Sequence, residues 1–180
     1  MASKPLGSMS AEAIKLQQLL RAQNTTFIDN INMSELRKSI DDECKPASEL
    51  AIKQFACEVS DIKINGVQTM QIIPRNVIRG RQILYIVGGG FTTGSPFNDL
   101  VISAQIANYT NSTVFFPYYR LAPENPFPAA LDDVFRVAKQ LWSISNNPPL
   151  LMGESAGATL ALSLTHLLKK HGLIMPPRMG

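Results

Sequence analysis

Leu150-Leu151-Met152-Gly153-Glu154-Ser155-Ala156-Gly157-Ala158 is the stretch that decides the fold of this chain. Its apolar opening reads as a short strand, and Ala158 to Leu168 has the periodicity of a helix. Between them, Gly153 to Gly157 matches G-x-S-x-G, a sharp strand-to-helix turn that lifts a serine hydroxyl above a sheet. The two glycines let strand and helix approach with no Cβ between them. The helix that follows brings unpaired N–H groups and a positive dipole end beside the serine, where an oxyanion would gather charge. Three fixed letters in five are weak alone, because an ordinary turn with Ser155 as helix N-cap has the same letters. The apolar run before the turn and the helical run after it favour the nucleophile.

Upstream, the pattern alternates. Cys57 to Ile64 and Val67 to Ile73 are two apolar-alternating runs joined by Asn65-Gly66, which predicts a hairpin. Gln82 to Val87 reads as a buried strand that stops at Gly88-Gly89-Gly90. Phe97 to Tyr109 reads as a helix, Thr113 to Phe116 as a strand, and Tyr118 to Pro128 as a proline-rich loop. Ala129 to Ser143 is amphipathic, with Leu131, Val134, Val137, Ala138 and Leu141 on one face. Asn146-Asn-Pro-Pro breaks that helix. A hairpin followed by alternating strands and helices implies an α/β fold with a mostly parallel, doubly covered sheet. Ligands of such sheets bind beyond the carboxyl ends of the strands, where both glycine turns fall.

Before the first strand stand two helical segments. One begins at Ser10 with the stripe Ile14, Leu16, Leu19 and Leu20, and Asn24-Thr-Thr ends it. The other runs from about Ser34 to about Cys44, limited by Pro46. Residues 9–50 are expected to cap the mouth of the site or to flank the sheet, and 51–180 to form the N-terminal part of an α/β domain, incomplete at its C-terminus. Residues 1–8 carry no apolar core and, with Met9 behind Gly7-Ser8, read as an appended leader rather than a signal peptide.

Composition sets bounds. The chain has 180 residues, 45% of them apolar, and a net charge of +3. That is enough for one cored domain, and with no basic block it implies no nucleic-acid partner. No apolar run reaches bilayer length. Cys44 and Cys57 have neither metal-ligand nor disulfide-framework spacing, so no metal is expected and a reducing, cytoplasmic setting fits.

Val87-Gly88-Gly89-Gly90-Phe91, Tyr119-Arg-Leu-Ala-Pro-Glu-Asn-Pro-Phe-Pro-Ala-Ala-Leu-Asp-Asp133 and Gly153-Glu-Ser-Ala-Gly157 together resemble the hormone-sensitive-lipase-like family of α/β-hydrolases, in that family's order and spacing. The resemblance implies Ser155 as nucleophile, an oxyanion hole from the N–H groups of Gly89, Gly90 and Ala156, a small-molecule carboxylic ester as substrate, and no cofactor. Two letters depart from the family. Val87 replaces the histidine that usually opens the glycine loop and helps hold its shape, and Asn125 replaces a histidine in the proline-rich segment. Arg120, Glu124, Asp132 and Asp133 read as a structural polar network around a helix start.

A serine needs a base, and in this fold the triad follows the order Ser, Asp or Glu, His. The two histidines, His166 and His171, both fall on the helix after the elbow or at its end. At 1.5 Å per residue, His166 lies about 16 Å along the axis from Ser155. No carboxylate follows residue 157. These 180 residues are therefore expected to lack the acid and base of the triad, and to leave the elbow strand with a bare edge open to a complementing chain or to self-association. A non-catalytic, ligand-binding member of the same fold and an inactive fragment are the rival readings.

Overall fold

The computed structural model describes residues 10–22, 32–144, 148–177 and 180. The leader, the Asn24-Thr-Thr stop and the Asn146-Asn147 break lie outside those residues, as do the side chains of Leu16, Leu19 and Leu20. The chain forms two units, 1–31 and 32–180. The described part of the first is helix α1, Ala11–Ala22.

The second unit opens with α2, Met33–Gln54, capped by the Asn32 side chain on the N–H groups of Ser34 and Glu35. The expected stop at Pro46 is overrun, and α2 continues for two further turns. Tertiary packing explains the override. Ala51 is buried, and Ser48, with no exposed surface, donates to the Phe97 carbonyl at 2.9 Å. Phe55, just beyond the helix, meets the edge of Tyr109.

Strands β1 (Cys57–Ile64) and β2 (Val67–Pro74) form the predicted hairpin. Asn65 and Gly66 both take positive φ, 47° and 81°, as a two-residue turn of this twist requires. Then follow β3 (Gln82–Ile86), α3 (Leu100–Thr110), β4 (Thr113–Pro117), α4 (Ala129–Ser143), β5 (Leu150–Gly153) and α5 (Ser155–Lys170). Helix α3 starts three residues later than the sequence pattern suggests. Ser95 to Asn98 is instead a turn closed by the Asn98 side chain on the Ser95 N–H.

The sheet has the order β1-β2-β4-β3-β5. β1 with β2 and β2 with β4 are antiparallel, whereas β4, β3 and β5 run parallel. The sheet is thus mixed, with its parallel part at the β5 end. The steps from β3 to β4 and from β4 to β5 move in opposite directions across it. Right-handed crossovers therefore put α3 and α4 on opposite faces, with α2 packed on α3 and α5 on α4. The sheet contributes Ile72, Leu84, Ile86, Val114, Phe116 and Leu151 to the core, all fully buried. Val134, Val137 and Ala138 of α4 and Leu164 and Leu168 of α5 close one side.

The outer edge of β5 is not wholly bare. The Gly180 N–H donates to the Leu151 carbonyl and the Gly153 N–H donates to the Gly180 carbonyl, each at 3.2 Å. That pair is the repeat of a parallel ladder opposite Met152. The expectation that nothing beyond the last helix reaches this edge is corrected by those two bonds. Helix α5 buries one face, leaving Leu162 at 64% exposure.

Candidate active site

β3 and β5 are parallel neighbours with Ile86 opposite Gly153, so the glycine loop and the elbow leave the sheet side by side at one rim. At the elbow, Ser155 takes φ 48°, a left-handed conformation that costs a residue with a side chain about 1–2 kcal/mol. Its helix cap is Glu154, without a side-chain cap bond, so the reading of Ser155 as an N-cap fails. Ser155 is exposed, and among the described residues its hydroxyl makes no hydrogen bond. Close packing enforces this shape. A Cβ on Gly157 would run into the carbonyl oxygens of Ile86 and Val87, and one on Gly153 would lie 2.6 Å from the Gly157 carbonyl oxygen.

The loop after β3 turns just as sharply. Gly89, Gly90 and Phe91 have φ 102°, 62° and 64°. Three carbonyls are anchored. The buried Tyr119 hydroxyl donates to the carbonyls of Val87 at 2.8 Å and Gly88 at 3.4 Å. The Gly89 carbonyl accepts from the N–H groups of Thr92 at 3.1 Å and Thr93 at 2.9 Å, and from the Thr93 hydroxyl at 3.0 Å. In a trans peptide the N–H points opposite to the carbonyl before it. Anchoring Gly88 C=O on Tyr119 therefore turns the Gly89 N–H away from the interior, and anchoring Gly89 C=O in the turn sends the Gly90 N–H the other way. Among the described residues neither N–H has a partner, nor has that of Ala156 in the first turn of α5.

Burial pushes the Tyr119 hydroxyl up to about 12, with the carboxylates of Glu154 and Asp99 adding to it. It therefore stays protonated, and a donor, at neutral pH. Asp99 is raised by burial and by Glu154, against a bond from the Tyr85 hydroxyl at 3.4 Å. The Glu154 carboxylate lies where a Gly88 side chain would have to go.

The polar network of the proline-rich loop is structural. Asp133, 3% exposed, accepts from the Arg120 backbone N–H at 3.0 Å and from its guanidinium at 2.8 and 2.9 Å. Glu124 instead meets Arg37 of α2. Arg37, like the anchoring role of Tyr119, was missed by the sequence reading. Arg37 stands beside Lys38 on a helix that also carries Lys45 and Lys53, so nothing in the local pattern marked it.

Two cavities adjoin the rim. One of about 310 Å³ lies beside Gly90, between Phe91, Ala122, Phe127, Leu131 and Leu160. The other, about 440 Å³, is bounded by Arg37 and Asp41 of α2 and by Val87, Tyr118 and Tyr119. Ser155 lines neither. His166 is exposed on α5, and His171 caps its far end with its ring tilted on Phe135, about 24 Å from the elbow at 1.5 Å per residue. Neither reaches Ser155. Among the described residues no group of three His, Cys, Asp or Glu side chains could hold a metal, and no helix is long and apolar enough to cross a membrane.

A strained, exposed serine between strand and helix, beside a glycine loop with outward N–H groups, defines an α/β-hydrolase elbow and rim. The chain belongs to the alpha/beta hydrolase fold family, which residues 83–179 match. It is 30% identical over 149 residues to an esterase of Acinetobacter venetianus, covering 82% of this chain and 48% of that protein. In structure it is similar to a hormone-sensitive lipase from a metagenome library, at TM-score 0.78 and 29% identity over 92% of this chain and 55% of the other. A hyperthermophilic esterase from Pyrobaculum calidifontis aligns at TM-score 0.74 and 25% identity, over 92% and 55% of the two chains. The chain thus spans about half the length of these relatives, and its likeness to hormone-sensitive-lipase-like esterases is confirmed.

Proposed function

We propose that this chain carries the nucleophile and oxyanion hole of a serine hydrolase acting on small carboxylic esters. The observation that supports it most is Ser155 at φ 48°, exposed at the turn, beside three N–H groups that have no partner among the described residues. In this reading Ser155 Oγ attacks the ester carbonyl while its proton passes to a base. The N–H groups of Gly89, Gly90 and Ala156 hold the oxyanion of the tetrahedral intermediate. The ester C–O bond breaks, the alcohol leaves with the proton, and water then releases the acid. The chemistry asks for no cofactor. The apolar cavity beside Gly90 suits one arm of the ester. Of the segment 9–50 considered as cap or flank, helix α2 packs on α3 and its Arg37 and Asp41 wall the larger cavity.

Among the described residues no histidine lies within reach of Ser155. With His166 and His171 remote, Ser155 is left near its intrinsic reactivity, and loss of the triad costs up to about a million-fold in turnover. The second reading is a binding protein that keeps the pocket without the chemistry. Hydrolysis of p-nitrophenyl butyrate with and without added imidazole separates the two. A hydrolase rim yields turnover near background alone and imidazole-dependent turnover that Ser155→Ala abolishes. Equal rates for wild type and Ser155→Ala at every imidazole concentration would leave the binding reading.

A further inference from the structure

The family histidine that usually opens the glycine loop is absent here, yet the loop is tightly formed. Val87 is buried at 3% exposure, and its side chain has no polar atom to hold a turn. Something else fixes the peptide planes. Tyr119 anchors the first two carbonyls, as described, but the Gly90 N–H depends on the Gly89 carbonyl, which depends on Thr93. Beyond Thr93 stands Arg37.

We propose that Arg37 is a positioning residue for the oxyanion loop, acting on the Gly90 N–H through two peptide planes. Its Nε donates to the Thr92 carbonyl at 2.8 Å. The Thr92 carbonyl and the Thr93 N–H belong to one trans peptide and point in opposite directions. Holding that carbonyl on Arg37 therefore aims the Thr93 N–H at the Gly89 carbonyl, 2.9 Å away. The Gly89 carbonyl and the Gly90 N–H form the next plane, so the Gly90 donor is turned to the rim. The guanidinium is itself held in place. Nη2 donates to the Ala122 carbonyl at 2.8 Å, and the fork meets Glu124 at 3.0 and 2.8 Å. The Ala122 N–H in turn donates to the Phe91 carbonyl at 2.8 Å. Arg37 thus joins α2, the glycine loop and the proline-rich loop at one point. The planar fork matters, because an ammonium cannot serve a carboxylate bidentately and two carbonyls together. Glu124 is held below its ordinary range chiefly by the hydrogen bond from Arg37.

The value of this clamp for catalysis rests on the proposed hydrolase reading, but its existence does not, so the test reads them separately. Amide hydrogen exchange by NMR is measured on the 180-residue chain, its Arg37→Ala, Arg37→Lys and Glu124→Gln variants. The clamp predicts at least a tenfold faster exchange of the Thr93 N–H in Arg37→Ala and a shifted Gly90 resonance. Arg37→Lys should recover part of the protection, and Glu124→Gln should lose a few-fold. The hairpin amides of Met70 and Ile72 should hold their rates throughout. Unchanged Thr93 exchange in Arg37→Ala and in Glu124→Gln would overturn the proposal. If Arg37→Ala does not fold, Glu124→Gln decides, with unchanged Thr93 exchange counting against the clamp. A second arm measures imidazole-assisted butyrylation of Ser155 by p-nitrophenyl butyrate. Slower butyrylation in Arg37→Ala, restored in part by Arg37→Lys, supports the positioning role, and an unaltered rate beside a loosened Thr93 overturns it. Absence of butyrylation in the wild type rejects the hydrolase reading while the exchange data still judge the clamp.

Discussion

Two glycine turns meet at the same rim, and they are made in different ways. The elbow, Gly153 to Gly157, is shaped by backbone packing: a Cβ at Gly153 would lie 2.6 Å from the Gly157 carbonyl oxygen within the turn itself, and one at Gly157 would overlap the carbonyls at the end of β3. The loop from Gly88 to Gly94 is shaped by partners from afar. Tyr119 comes from beyond β4 and Arg37 from a helix more than fifty residues upstream. A turn enforced by backbone sterics leaves a short signature in the sequence, because a side chain has no room at its glycines. A turn enforced by hydrogen bonds from distant elements leaves only the permission for it, a run of glycines.

The difference predicts graded responses to substitution. The largest effect is expected at the elbow. Gly157→Ala places a methyl against two backbone carbonyls that cannot move without dislocating β3. It should cost about 4 kcal/mol or more, in the range reserved for gross misfit. Denaturant unfolding measures it, and a loss below about 1 kcal/mol would mean the elbow is less tightly packed than described.

The loop should divide between its two donors. A Cβ on Gly89 would strike the Thr93 carbonyl, whereas the nearest atom to one on Gly90 is the Thr92 hydroxyl oxygen at 3.8 Å. Gly89→Ala should therefore destabilise by about 3 kcal/mol, and Gly90→Ala only by the cost of its left-handed φ, about 1–2 kcal/mol. Equal losses at the two positions would erase the distinction.

A smaller effect is expected from the remote anchor. Tyr119→Phe leaves two carbonyls of the loop without their donor and should cost about 1–2 kcal/mol. The wild type carries an alkaline signature of the same contact. The Tyr119 hydroxyl is raised to about 12 in the fold, against an ordinary value of about 10. Its contribution is fully present below pH of about 10 and is lost as the pH rises toward about 12, because the unfolded chain ionises first. Tyr119→Phe should flatten that part of the pH–stability curve. An identical alkaline slope in the two proteins would remove Tyr119 from the account.

The same contrast marks what could be read from the sequence. The hairpin was legible because Asn65-Gly66 fixes its own turn, and α4 because its apolar stripe is continuous. The elbow was legible as five letters. Helix α2 was not, because the local penalty at Pro46 is overruled by the burial of Ser48 and Ala51, contacts that no window around Pro46 contains. The start of α3 was displaced by a turn held from Asp41, more than fifty residues away, which accepts from Ser95 and Asn98. The Gly180 ladder on β5 was invisible in a proline-containing tail with no strand pattern. Within the site, Ser155, Gly89, Gly90 and Ala156 were named by pattern and resemblance, and the structure sets them on neighbouring turns at one rim. Arg37 and Tyr119, which hold the rim, required the fold.

The central claim is that Ser155 is a nucleophile facing an oxyanion hole. Mass spectrometry of the chain after incubation with p-nitrophenyl butyrate and imidazole tests it most directly. The account predicts a single butyryl group mapped to the peptide containing Ser155, absent in Ser155→Ala and reduced in Gly89→Ala. A folded protein that acquires no adduct at Ser155, or labels equally on other serines, would contradict it.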